Sequence, residues 1–189
     1  MTHFIAGVTL TDVIILILLF AAFFMGYAQG LVRQLLGLGA AAIAFILAGW
    51  LREPIGGWLN QYWTTYPLAF NQMAAFLISF VVLFAAAELL MVVYYKRTPL
   101  VARAIVIDEI LGGVLGVVLV LVLICMLVFI LDSYYLTVPA VTNDPKWLRD
   151  LWKALDDSQI IDFLRGGLIA GIVTILGPVL PAAVRSAPA

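Results

Sequence analysis

Residues 13–51 read VIILILLFAAFFMGYAQGLVRQLLGLGAAAIAFILAGWL, apolar throughout apart from Gln29, Arg33 and Gln34. As one helix rising about 1.5 Å per residue, this stretch would be ~58 Å long, roughly twice the thickness of a bilayer's hydrocarbon core. The run therefore has to break at its one polar cluster, Gln29-Gly30-Leu31-Val32-Arg33-Gln34, where glycine permits a turn and Arg33 marks a membrane surface. Two membrane helices in a hairpin result. Asp12 is the expected N-cap of the first. Trp50-Leu51-Arg52-Glu53-Pro54 is expected to end the second, because tryptophan and charge favour the interface and proline interrupts the helix.

The rest of the chain repeats this chemistry. Of the 189 residues, 65% are apolar and 11% charged, against about 25% charged in an ordinary soluble domain, so part of the solvent must be lipid. Residues 55–71, with Trp58, Tyr62, Trp63 and Tyr66, read as a loop at headgroup level. A third span follows from Ala74 to Tyr95, with Glu88 as its one charged residue, and Ile110 to Leu131 is an uncharged fourth. The expected organisation is an all-α, polytopic helix bundle over 1–135, with spans at about 12–30, 32–51, 73–95 and 109–131. A C-terminal part, 136–189, completes it. Residues Met1 to Asp12 hold no Lys or Arg, so the first span reads as a retained helix rather than a cleaved signal. No lipidation box is expected to anchor the chain.

In the C-terminal part, Asp144-Pro145 reads as an N-cap followed by proline at the first helical position. Trp147, Leu148, Leu151, Trp152 and Leu155 then recur at helical spacing, predicting an amphipathic helix on the membrane surface or on the protein's own loops. Gly166 to Val184 is apolar but interrupted by Gly177-Pro178 and Pro181. It reads as a short re-entrant or interfacial hairpin, with a fifth span as the alternative. Arg33, Lys96, Arg97 and Arg103 share one side in short loops, which the positive-inside rule places in the cytoplasm. Both termini are then extracytoplasmic.

The glycine pairs Gly26/Gly30 and Gly112/Gly116, with Gly113 beside the second, are expected to pack helices closely, as is Gly167/Gly171 with less support. Arg33, Glu88 and Asp108 are the candidate functional charges. An ionisable group inside a span suggests an ion or proton path; against it, Arg33 can snorkel, Asp108-Glu109 can cap a helix start, and Glu88 lies near enough to Lys96 to pair with it. Asp12 falls on the opposite membrane side from Arg33. Trp50, Trp147 and Trp152 are expected as interfacial anchors. His3 and Cys125 are solitary and make no metal site. No catalytic residue, cofactor or metal is expected, since His-Glu-x-x-His, Gly-x-Ser-x-Gly and Walker patterns are all missing. With a net charge of −1, nucleic acid is excluded as a partner. The bilayer is the expected partner, together with a second copy of the chain or another membrane component.

Asp12, the stretch Gly26-Tyr27-Ala28-Gln29-Gly30-Leu31-Val32-Arg33-Gln34-Leu35-Leu36, and Asp108-Glu109-Ile110-Leu111-Gly112-Gly113-Val114-Leu115-Gly116 together resemble the colicin V production protein (CvpA) family. That resemblance runs from Asp12 to about Leu131, with a weaker likeness at Asp157–Leu164. It implies a bacterial inner-membrane protein with about four spans, taking part in colicin V production or export and in envelope homeostasis, with no catalytic site. The chain departs from the pattern at Glu109, where arginine is common, and at Leu119-Val120, where Arg-Gly often stands. Two function classes follow: a non-enzymatic scaffold or accessory factor for export, and a small oligomeric channel or transporter.

Overall fold

The computed structural model describes residues 9–94, 105–136 and 144–176. Among them the chain is helical, without strands. The elements are α1 (Leu10–Gln29), α2 (Leu31–Tyr62), α3 (Leu68–Tyr94), α4 (Ile105–Tyr135), α5 (Lys146–Asp156), α6 (Gln159–Leu164), a π-helical turn (Arg165–Ile169) and α7 (Ala170–Leu176). Helices α1 to α4 are each long and apolar enough to cross a membrane, which makes this an all-α, multi-pass membrane protein. Lys96, Arg97, Arg103, His3, Gly177, Pro178 and Pro181 lie outside the described residues.

Several element boundaries depart from the sequence reading. Thr9, not Asp12, is the N-cap of α1. Asp12 sits at the third helical position and returns the bond to the Thr9 backbone in a capping box, which satisfies two of the amides that a helix start leaves open. Helix α2 does not stop before Pro54 but runs through it to Tyr62, so most of the loop expected over 55–71 is helix. The bond lost at proline is outweighed by packing around it. A Cβ on Gly56 would fall 2.7 Å from the Gln72 Cα, so α2 and α3 touch backbone to backbone there. Asn71, fully buried, donates from Nδ2 to Asn60 Oδ1 at 2.9 Å and to the Trp63 carbonyl at 3.2 Å, closing the short connection.

The chain divides into two compact units. One comprises the chain up to Ala42 together with Phe84–Ile124; the other comprises Ile43–Leu83 and the chain from Cys125 onward. In the second unit Phe45 is ringed by Phe76, Phe80 and Phe129 at centroid distances of 5.2, 5.9 and 5.8 Å, and all four are buried. Aromatic rings at these separations add directional contacts to the area they bury.

That unit also fixes the C-terminal helices. Asp132, near the end of α4 and 5% exposed, accepts from Trp152 Nε1 at 2.8 Å and from Arg165 through both Nε and Nη2, at 3.0 and 2.9 Å. Arg165 Nη1 also donates to Asp156 at 2.6 Å. Burial alone would lower the Arg165 pKa, but its hydrogen bonds to Asp132 and Asp156 hold it above the usual value. Removing one partner from such a buried pair typically costs about 3–5 kcal/mol, because the other charge is left stranded. Trp152, expected from sequence as an interfacial anchor, is half-buried and also joins this cluster, its ring stacking on Tyr135 at 5.1 Å. Asp144 does not cap α5 either: Pro145 holds the N-cap position with no side-chain bond, and Asp144 instead forms a two-pronged pair with Arg149. The apolar stripe of α5 is split, with Leu148 and Leu155 buried and Trp147 and Leu151 exposed. Helix α6 starts at Ser158, whose hydroxyl accepts from the Ile161 amide.

Candidate functional site

The first unit gathers the end of α1, the start of α2, the end of α3 and the start of α4. Its organising feature is the elbow at Gly30. There φ is 84° and ψ 169°, a backbone conformation that in practice only glycine adopts, and it redirects the chain from α1 to α2 in a single residue. The Gly30 amide closes α1 on the Gly26 carbonyl at 2.9 Å, and the Gln34 amide opens α2 on the Gly30 carbonyl at 3.4 Å.

Both glycine pairs meet here, within one chain. A Cβ on Gly26 would fall 2.3 Å from the Gly112 carbonyl oxygen and 3.0 Å from the Gly116 Cα. One on Gly112 would fall 2.6 Å from the Gly26 oxygen, and one on Gly116 2.5 Å from the Ala22 oxygen. Helices α1 and α4 are therefore in backbone contact over two turns. Gly113 makes room for the Phe23 ring, 2.8 Å from its missing Cβ. By contrast, a Cβ on Gly167 or Gly171 would meet nothing within 4 Å, so that pair packs no helix among the described residues.

The three candidate charges are all placed in this unit. Arg33, in the first turn of α2, pairs with Glu88 of α3 at 3.5 Å. Their side chains are 21% and 31% exposed. The bond is long and single, so its contribution lies nearer that of a surface pair than of a buried bidentate one. Gly37, one turn on, leaves space for the Glu88 carboxylate, whose Oε1 lies 3.3 Å from the missing Cβ. Asp108, in the first turn of α4, is 3% exposed. Its Oδ2 lies 2.7 Å from where a Gly30 Cβ would be, and its Oδ1 is buried without a hydrogen-bond partner.

Two further contacts in the elbow are absent from the sequence reading. Gln34, 4% exposed, donates from Nε2 to Gln29 Oε1 at 3.0 Å and leaves its own Oε1 buried and unpartnered. Tyr27 lies close enough to Glu109 to feel its charge, and Glu109 is one of the positions where the chain departs from the pattern it resembles. The signal for both was local: every polar residue between Tyr27 and Gln34 lies within two turns of Gly30. Of the expected interfacial tryptophans, Trp50 and Trp147 are 61% and 68% exposed.

If the Arg33–Glu88 contact couples the two helices, Arg33→Gln and Glu88→Gln will each lower the melting temperature of the purified protein. The double variant will be little worse than either single one, with a coupling of about 1 kcal/mol. Fully additive losses contradict the pairing.

No curated protein and no solved structure matches the chain. The family model described as colicin V production protein matches residues 11–166, a span that begins beside Asp12, includes the Gly30 elbow and Asp108, and ends one residue beyond Arg165. On that match, which covers most of its length, the chain belongs to the colicin V production protein family.

Proposed function

We propose that the chain is a non-enzymatic accessory factor of the bacterial inner membrane, acting in colicin V production or export and in envelope homeostasis. The observation that carries this reading is where the chain's specific chemistry is directed. Gly26, Gly112 and Gly116 are occupied by α1–α4 contact, and Arg33, Glu88, Asp132 and Arg165 by ion pairs within the chain. The outward faces of α1 and α3 carry large exposed apolar side chains such as Ile17, Phe20, Leu89 and Val92, as lipid contact requires. Helices joined to one another by glycine contacts and paired charges, with apolar side chains left exposed, suit a part that positions other membrane components. The channel or transporter reading has one observation in its favour, the Arg33–Glu88 pair within apolar helices.

Loss of the chain in a producing strain is expected to lower secreted colicin V while leaving the intracellular pool intact, with restoration by the wild-type chain. The purified chain in vesicles should carry no proton or cation flux. Unchanged secretion contradicts the accessory reading, and a flux abolished by Glu88→Gln establishes the channel instead. Both termini are proposed to be extracytoplasmic, supported by the shared side of Arg33, Lys96, Arg97 and Arg103. In a chain without Cys125, Thr64→Cys should then label from outside intact cells and Leu100→Cys should not; the reverse pattern overturns the orientation.

A further inference from the structure

The Arg33–Glu88 pair, the Asp132–Arg165 clamp and the Asp144–Arg149 pair each join a carboxylate to a guanidinium. Among the described residues no ion pair joins Asp108 to a basic side chain. It is 3% exposed, and its Oδ1 makes no hydrogen bond. A carboxylate taken from water without compensation is costly, so a cation at this position would offset a large penalty.

The end of α1, which leads directly into the Gly30 that Asp108 touches, carries neutral oxygens. The carbonyls of Tyr27, Ala28 and Gln29 end α1, and a helix end leaves its last carbonyls without intrahelical partners and carries partial negative charge. The backbone bonds across the elbow run from the Gly30 amide to Gly26 and from the Gln34 amide to Gly30. Neither engages those three carbonyls. A second orphaned oxygen, Gln34 Oε1, is buried in the same elbow. Gly30 makes room for the carboxylate here, because a Cβ there would fall 2.7 Å from Asp108 Oδ2. Interrupted membrane helices whose exposed carbonyls meet a carboxylate are a recurrent way of binding alkali cations.

We propose that Asp108 and the carbonyl end of α1 form a binding site for a small monovalent cation, for which sodium is the probe. One carboxylate balances one positive charge, whereas a divalent ion would bring an uncompensated charge into apolar surroundings and demands more oxygen ligands. Among the described residues no group of three or more His, Cys, Asp or Glu is placed to hold a metal, so the ligand set is one anionic group plus neutral oxygens. Binding would brace the elbow by tying α4 to the junction of α1 and α2. The site is independent of the accessory and channel readings, since it requires occupancy and not transport.

The test uses the full-length chain purified in detergent, with sodium chloride exchanged for choline chloride at constant ionic strength. Expected are saturable binding of radioactive sodium and a melting temperature that rises with sodium concentration. Asp108→Asn should lose both, and Glu109→Gln should keep both. A wild-type chain with no saturable sodium binding overturns the site whether or not Asp108→Asn folds. Saturable binding that survives in Asp108→Asn overturns the assignment to this residue.

Discussion

The contact between the backbones of α1 and α4 is the constraint on which the first unit depends. In lipid there is no hydrophobic drive to bring two apolar helices together, so association relies on close packing and polar contacts. Gly26, Gly112 and Gly116 let main-chain atoms of the two helices meet where any side chain would collide. The same contact brings the first turn of α4 against the end of α1, which is why Asp108 faces Gly30. The glycine turn and the buried carboxylate are therefore two consequences of one helix crossing.

The second unit is held by different means. Its core is aromatic, centred on Phe45, and its C-terminal helices are fixed by charge. Asp132 receives Trp152 from α5 and Arg165 from the π-helical turn, so three elements converge on one carboxylate. The π-helical turn begins at Arg165, the residue the clamp holds. With Leu148 and Leu155 buried, Trp152 half-buried and Trp147 exposed, α5 turns only part of its apolar stripe outward.

Much of this architecture was legible from composition because lipid imposes a length scale. A run too long for one span had to break at Gly30, and the uncharged stretch from Ile110 to Leu131 could only be a helix. The end of α2 was misread because proline and tryptophan are local signals, whereas the contact that carries the helix past Pro54 is with Gln72, in the next helix. Pairings were harder still. Periodicity shows that Gly112 and Gly116 share a face but not that the face meets Gly26. Glu88 has a nearby basic neighbour in sequence at Lys96, yet it pairs with Arg33, 55 positions away. Asp132 directly follows the uncharged stretch that ends at Leu131, and its partner Arg165 stands 33 positions on. Charges at helix ends mark boundaries in the sequence, and only the fold shows which boundaries face each other.

The central claim, that glycine-permitted contact between α1 and α4 organises the first unit, is tested most directly by comparing alanine substitutions in one set of unfolding measurements. Gly26→Ala, Gly112→Ala and Gly116→Ala force a methyl group into backbone at 2.3–2.6 Å and should each destabilise the chain by about 1–3 kcal/mol. Gly39→Ala adds the same methyl in α2 with nothing within 4 Å and should be neutral or stabilising by up to about 1 kcal/mol. If the three contact substitutions prove as harmless as Gly39→Ala, the helices do not meet in this way and the account is wrong.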